Sequence, residues 1–195
     1  MSAFPERTPM TVEEYLQLDH VSLERRYEYI DGQLRLLAGG TADHAVISAN
    51  IITILRDLLR GSSCRVLTSD ARVRLSETRY VYPDVTVSCH EQDRGRIDSI
   101  RFPHLVVEVL SPGTEGHDRG KKALSYRECP SIQEYMLVDT ASPIIEVFHR
   151  EKNDLWLLAT FQLHDHVHLT SLGLSFPVEA VYEDIVFPND DNIQE

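Results

Sequence analysis

Residues 104–110, HLVVEVL, form a nearly continuous apolar run with a single carboxylate, Glu108, inside it. Such a run is typical of a central strand that is covered on both faces. Asp and Glu are depleted in strands, and an isolated buried carboxylate is costly to keep ionised. The run therefore predicts a buried strand in which Glu108 needs a partner, and a hard divalent cation is one good partner.

A second carboxylate, Asp84, interrupts the strand-like run VYPDVTVS at residues 81–88. Because side chains alternate along a strand, Asp84 and Glu108 can converge on one side of the sheet if their strands are neighbours. Pro83 cannot donate to a strand ladder, which indicates a strand end or an irregularity beside Asp84.

Residues 114–128 are predicted to be helical, with Asp118, Lys122 and Tyr126 spaced i, i+4, i+8 along one face. If that face packs over the sheet, the Lys122 ammonium points toward the two carboxylates. There it would position an attacking water or stabilise developing phosphorane charge. A metal, an acid pair and a lysine are the machinery of phosphodiester hydrolysis. The adjacent Lys121 is an alternative, and the sequence leaves open which lysine faces the site.

The elements around this centre follow from local signals. Thr11 and Glu14 form a capping box before a short helix, and Asp31-Gly32 predicts a hairpin turn within residues 26–37. Helical spacing of apolar residues predicts a long helix over residues 41–60. Further strands are predicted in the segments CRVLT, ARVRL, EYMLVD, IIEVFH and LWLLATFQL, and a short helix near PVEAVYED. Interleaved strands and helices indicate an α/β layered domain with a mixed sheet. We expect one domain over residues 1–195, with frayed ends at 1–10 and 189–195.

The net charge of −12 comes from 19 basic and 31 acidic residues, which taken alone argues against a nucleic-acid binder. A local basic face on an acidic body remains compatible with this composition. No apolar run is long enough for a membrane span, and the start lacks a secretory signal, so we expect a cytoplasmic protein without membrane contact. The chain has an odd number of cysteines, and their spacing matches no zinc or disulfide framework: Cys64, Cys89 and Cys129. We therefore expect a protein of a reducing compartment.

The ordered set of segments resembles the Uma-type restriction endonuclease family. The resemblance covers roughly residues 11–150 and rests on the order of several segments, each of which is weak alone: RYEYIDG, the helix beginning near DHAVIS, YPDVTV, PHLVVEVLSPGT, the D-x-x-x-K-x-x-x-Y pattern and EYMLVD. That family is assigned to the PD-(D/E)XK nuclease superfamily. The resemblance implies a restriction-endonuclease-like mixed sheet flanked by helices, with an N-terminal helix and hairpin and extra C-terminal strands.

The resemblance also implies roles for single residues. Asp84 matches the PD aspartate and Glu108 the second acid, both metal ligands. The simplest superfamily pattern has lysine two residues after the second acid, where this chain has Leu110, so the resemblance points instead to Lys122 on the following helix.

Further positions match recurrent residues of the family. Glu28 matches an acid that would complete the metal site, and His44 a histidine near the start of the long helix. Asp118 and Tyr126 are auxiliary candidates beside Lys122. The implied activity is hydrolysis of phosphodiester bonds in nucleic acid, with DNA favoured, using Mg²⁺ or Mn²⁺ in a homodimer.

Plainer alternatives stand beside these interpretations. Asp84 and Glu108 could be structural, bonded to backbone amides or to arginines such as Arg72 and Arg74. Glu28 could face solvent on its hairpin, and for His44 we favour a helix-start residue that bonds to the backbone. For the whole chain, the rivals are a non-catalytic module that binds nucleic acid or protein, and a metal-dependent hydrolase of a small phosphoester.

Overall fold

The secondary structure of the chain was obtained from a computed structural model that describes residues 9–22, 25–37, 39–96, 98–111, 113 and 115–187. The frayed ends predicted at 1–10 and 189–195 fall largely outside these ranges, although Met10 is described and is hydrogen-bonded to Gly32 and Tyr29. The elements run in the order α1 (Val12–Val21), β1 (Tyr27–Ile30), β2 (Gln33–Leu36), α2 (Ala42–Leu58), β3 (Arg65–Thr68), β4 (Val73–Ser76), β5 (Arg79–Val81), β6 (Val85–Ser88), β7 (Leu105–Leu110), α3 (Glu115–His117), α4 (Ala123–Glu128), β8 (Glu134–Asp139), β9 (Ile145–Arg150), β10 (Trp156–Phe161), β11 (His166–Leu169), β12 (Leu174–Pro177) and α5 (Val178–Val181).

The main sheet has the strand order β10-β9-β8-β7-β6-β3. Strands β7 and β8 are parallel, and the other neighbours are antiparallel. The parallel step requires a crossover, which the helical segment between β7 and β8 supplies. The prediction of a mixed sheet with HLVVEVL in its interior is confirmed, because β7 lies between β6 and β8.

Both faces of β7 are covered, which explains its continuous apolar sequence. Val107 and Val109 pack in one cluster with Ile47 and Ile51 of α2. Alternate residues on the other face, including Val106, pack in a second cluster with residues of α4. Glu108 lies on the α4 face by strand parity, so the helical segment after β7 covers it.

The predicted strand VYPDVTVS is two strands in different sheets. Strand β5 ends at Val81 and belongs to a smaller sheet of order β2-β1-β5-β4, whereas β6 begins at Val85 in the main sheet. The interruption contains Pro83, which cannot extend a ladder. Asp84 therefore stands at the entrance to β6 rather than inside a strand, which corrects the placement predicted from the sequence.

The local signals at the N-terminus are confirmed. Thr11 and Glu14 form a reciprocal capping box on α1. The β1–β2 hairpin turns at Asp31 and Gly32, whose φ angles of 49° and 86° are the left-handed values that a tight hairpin turn needs. Thr41 caps α2 by accepting a hydrogen bond from the His44 amide.

The helical segment between β7 and β8 is interrupted. A π-helical turn, Asp118–Lys122, joins α3 to α4, and Gly120 within it has non-helical angles (φ −99°, ψ −110°). Single π turns inside helices are frequent at functional sites. This irregularity does not separate the side chains of Asp118, Lys122 and Tyr126, which all reach the buried side of the segment.

The interpretation of the cysteines was wrong for two of them. Cys64 and Cys89 form a disulfide, while Cys129 is a buried free cysteine. Arg65 pairs with Ser88 across the antiparallel strands β3 and β6. This register brings Cys64, which precedes Arg65, opposite Cys89, which follows Ser88. Their spacing along the chain carries no motif, so the sequence alone did not reveal the pair. In the part of the chain that the structure describes, no helix is long and apolar enough to cross a membrane.

Candidate active site

Asp84, at the entrance of β6, and Glu108, inside the neighbouring antiparallel strand β7, line the same pocket. Val85 pairs with Val107. Asp84, which precedes Val85, therefore approaches Glu108, which follows Val107. The backbone amide of Val109 donates a 2.8 Å hydrogen bond to Oδ2 of Asp84. The two carboxylates thus meet on the α4 side of the sheet, as strand parity predicts.

Lys122, rather than Lys121, enters the site. Its side chain is 3% exposed, with Nζ 2.7 Å from Oε1 of Glu28 and 2.8 Å from Oε1 of Glu108. Asp118, one helical turn earlier, lies 3.7 Å from the same Nζ. Lys121 points away toward Gln33. The ammonium therefore bridges two buried acids that come from distant parts of the chain.

Two tyrosines support this arrangement from behind. The Tyr126 hydroxyl donates to Oε1 of Glu108, and the Tyr135 hydroxyl donates a 2.8 Å bond to the Asp118 carbonyl. The two rings contact each other with centroids 5.0 Å apart. Burial raises the pKa of Tyr126 well above its usual range, and the neighbouring Glu108 raises it further. Tyr126 is therefore a neutral donor that fixes one oxygen of Glu108.

The charges in the site do not balance. Burial raises the pKa of Glu28, but the Lys122 ammonium, His117 and the Tyr82 amide together outweigh burial and lower that pKa to about 2. For Glu108, burial raises the pKa well above its usual range, and attraction to Lys122 is opposed by Asp84 and Asp118. Burial lowers the pKa of Lys122, but Glu108 and Glu28 raise it by more. One lysine thus serves several carboxylates, and the remaining negative charge favours binding of a proton or a cation.

His44 contacts Asp84 directly. Its Nε2 lies 3.2 Å from Oδ2 of Asp84, and its backbone amide is capped by Thr41. The Asp84 carboxylate, which accepts a hydrogen bond from the His44 imidazole, raises the pKa of His44 more than partial burial lowers it. The helix-start position that we favoured for His44 agrees with the Thr41 cap, and because the first turn of α2 faces the entrance of β6, the side chain also contacts Asp84 and the backbone of Val109.

Glu28 does not face solvent. It is 1% exposed, and its Oε1 also accepts a 3.2 Å hydrogen bond from the Tyr82 amide. His117, which the sequence analysis did not single out, has Nε2 3.6 Å from Oε2 of Glu28. That nitrogen is buried and has no hydrogen-bond partner among the described residues. Its position directly before Asp118 was the only available signal.

The arginine alternative for the acid pair does not hold, because Arg72 pairs with Asp19 and Arg74 with Glu77. The backbone-amide alternative is correct for one oxygen of Asp84. In the described ranges, the hydrogen bonds to the two acids end on Oδ2 of Asp84 and Oε1 of Glu108. The other oxygen of each carboxylate accepts no hydrogen bond from the described residues.

The acids, His44 and Lys122 line one pocket of about 260 Å³. Its lining includes Glu28, His44, Asp84, Glu108, Lys122, Gly39, Gly40 and Ser111. Among the residues that the structure describes, no three His, Cys, Asp or Glu side chains form a ready-made metal cluster. Mg²⁺, however, is usually held by one or two carboxylates and keeps several waters. A pair of carboxylates with excess negative charge fits such an ion.

The fold has a close counterpart among solved structures. A chain described as a "putative nuclease belonging to DUF820" from Anabaena variabilis superimposes with a TM-score of 0.75 at 18% identity, over 91% of this chain and 100% of that one. The architecture is thus the restriction-endonuclease-like α/β fold.

Sequence comparison gives the family. The family model described as "Putative restriction endonuclease" (Uma2) matches residues 12–179, and the chain belongs to this family. The Synechocystis protein slr1290, described as uncharacterized, is 40% identical over 185 residues, which are 94% of this chain and 95% of that protein. A second uncharacterized Synechocystis protein, sll1609, is 31% identical over 153 residues, or 76% and 85% of the two chains. Family and fold together support a nuclease-like function.

Proposed function

We propose that this protein is a metal-dependent endonuclease that hydrolyses phosphodiester bonds in nucleic acid, with DNA as the favoured substrate. The observation that carries the proposal is the meeting of Asp84 and Glu108 in one pocket with the Lys122 ammonium 2.8 Å from Glu108. Membership of the Uma2 family supports the same reaction class.

Asp84 and Glu108 would hold Mg²⁺ or Mn²⁺, and Glu28 would complete the set of acids. When bound, the ion would lower the pKa of a water and neutralise phosphate charge. Hard oxygen ligands and the surplus of negative charge fit this ion type.

The remaining residues would arrange the reacting groups. Lys122 would orient the attacking water or stabilise the charge that develops on the phosphate. Tyr126 holds Glu108 and His44 holds Asp84 through the contacts described above, so each acid keeps one oxygen directed by the protein. Such partners orient ligating groups and tune their affinity.

Calorimetry with Mn²⁺ and cleavage of labelled DNA and RNA test the proposal together. The wild-type protein should bind Mn²⁺ and cut, whereas Asp84→Asn should lower the cleavage rate at least about 100-fold, as expected when a group worth several kcal/mol is lost. Asp57→Asn, which removes an exposed acid on α2, is the matched control. Equal cleavage by wild type and Asp84→Asn would refute the assignment.

One observation favours the rival, a non-catalytic binding module on the same fold. Lys122 pairs with both Glu28 and Glu108, so part of the acid cluster is neutralised by the protein itself. A module of this kind would show no Mn²⁺ heat that depends on Asp84 and Glu108. A homodimer is proposed with the endonuclease function, since two-fold dimers are the commonest soluble oligomers, and sedimentation velocity tests it.

A further inference from the structure

A groove of about 1100 Å³ runs between α1, strands β3 and β4, and the loop before β7. We call it the arginine groove because five arginines line it: Arg65, Arg72, Arg74, Arg96 and Arg101. Four carboxylates also line it: Glu13, Asp19, Asp70 and Asp98. Arginines outnumber acids by one in this groove, so it lacks the acidic excess of a chain with 31 acidic and 19 basic residues.

The five arginines differ in how many of their guanidinium donors already contact the protein. Arg72 is held between α1 and the loop, with a 2.6 Å bond to Asp19 and a second to the Asp98 carbonyl. Arg96 and Arg101 share one carboxylate, Asp98, at 3.6 and 3.3 Å. Arg96 also lies 3.9 Å from Asp93 and donates to the Gln92 carbonyl, whereas Arg101 makes no second ion pair among the described residues, so Arg101 keeps more guanidinium donors for another anion.

Arg65 is less constrained still. It donates to the backbone carbonyl of Asp93 and, among the described residues, makes no ion pair with a carboxylate. Arg101 is the more exposed of the pair on the loop, with 39% of its side chain accessible. Guanidinium groups bind phosphate oxygens in a bidentate manner, which suits them to a polyphosphate chain.

The arginine groove and the acid pocket share one lining residue, Tyr82. Tyr82 lines both, and it also lines a depression between them that contains Arg25, Arg26 and Asp84. The Tyr82 hydroxyl bonds to Asp19 on the groove side, while its backbone amide bonds to Glu28 on the pocket side. A chain lying in the groove would therefore be separated from the acid pocket by the one residue that lines both.

We propose that the arginine groove binds the phosphodiester backbone of a nucleic acid and guides it to the acid pocket. This inference rests on the proposed function, because it names the surface that would hold the substrate. The contacts are to phosphates, so they position the nucleic acid without reading its sequence.

The test is binding without cleavage, measured by fluorescence anisotropy in EDTA over a series of salt concentrations. The probes are a labelled duplex DNA, the single strand of the same sequence and the matching RNA. The variant R65Q/R101Q should bind roughly tenfold more weakly at low salt, and its salt slope should fall by about 2, or about 1 for each lost phosphate contact. The nucleic acid with the largest change is the one that the groove holds.

The matched control is R56Q/R60Q, which removes Arg56 at the end of α2 and Arg60 just beyond it. As in the test variant, one of the two arginines makes an ion pair, here Arg60 with Asp57. It should leave the slope unchanged, and thermal unfolding should show both variants folded. Equal weakening in the two variants, or no binding by the wild type at low salt, would overturn the groove assignment. Competition by polyglutamate as strong as by nucleic acid would also overturn it, in favour of an acidic protein partner.

The outcome is separable from that of the proposed function. Cleavage that is unaffected by R65Q/R101Q would reject the groove and keep the endonuclease. Binding that depends on these arginines, without any Mn²⁺-dependent cleavage, would keep the groove and reject the endonuclease.

Discussion

The amide of Val109 donates a hydrogen bond to the carboxylate of Asp84, so the acid at the entrance of β6 is fastened to the strand that carries Glu108. The bond places the two acids in a fixed relation through the backbone rather than through long side chains. A site that depends on this relation should respond to changes in the residues that hold it, of which Lys122 and His44 can be tested directly.

Removing the Lys122 ammonium should destabilise the protein strongly. Lys122→Ala leaves Glu28 and Glu108 buried without their cation, and breaking a buried ion pair costs about 3–5 kcal/mol. Lys121→Ala, its exposed neighbour, should change stability by less than about 0.5 kcal/mol. Urea unfolding measures both values. Similar losses in the two variants would mean that the buried ion pairs do not form in solution.

His44 should affect metal affinity more than stability. His44→Gln weakens the contact that orients Asp84, and loss of such a partner typically costs 10–100-fold in metal affinity. Thr41→Ala removes the cap of the same helix, so it should cost about 1 kcal/mol of stability while leaving Mn²⁺ affinity unchanged. Calorimetry and unfolding on both variants separate the effects, and unaltered Mn²⁺ affinity in His44→Gln would argue against a metal at Asp84.

The hairpin turn should contribute stability that disappears in acid. A hydrogen bond from Thr78 and the Arg79 guanidinium hold the pKa of Asp31 below its ordinary value of 3.8, despite slight burial. Because the folded state binds this proton less tightly than the unfolded chain does, the stabilisation is present above the ordinary pKa and is lost as pH falls through the lower folded value.

Asp31→Asn is the matching variant, since asparagine also tolerates the left-handed φ of 49°. The group is about half exposed, so the difference from wild type at neutral pH should be below about 1 kcal/mol. It should shrink toward zero in strong acid. A difference that stays constant from neutral pH to strong acid would show that the charge of Asp31 plays no part.

The disulfide can be checked by counting thiols. Under denaturing, non-reducing conditions only Cys129 should react with a thiol reagent, because Cys64 and Cys89 are bonded. Reduction, or the C64S/C89S variant, should lower stability by about 2–4 kcal/mol, the usual effect of closing a loop in the unfolded chain. Three reactive thiols before reduction would be incompatible with the bond.

Glu108 and the lysine were accessible from the sequence because each follows a local rule, whereas Asp84 was found although it lies before β6 rather than inside a strand. A carboxylate inside a covered strand needs a partner, and the spacing of Asp118, Lys122 and Tyr126 places them on one face even across a π turn. The choice of Lys122 over Lys121 required the structure, since adjacent helical residues differ in direction and only packing decides which one is buried.

Contacts between distant segments were not accessible in the same way. The partnership of His44 with Asp84 depends on how α2 crosses the sheet, and that of Cys64 with Cys89 depends on the register of β3 against β6. The split of VYPDVTVS between two sheets depends on pairing of β5 with β1, which no pattern within the segment encodes. Pro83 gave the only hint.

The position of Lys122 on the helical segment after β7 affects how remote relatives can be recognised. A genome search that requires an acid and a lysine separated by one residue would pass over this chain, because that position is Leu110 and the ammonium arrives from the next helical segment. Proteins of this kind are better grouped by which charged atoms touch than by the linear order of letters, and some chains now left outside nuclease collections could be gathered by that criterion.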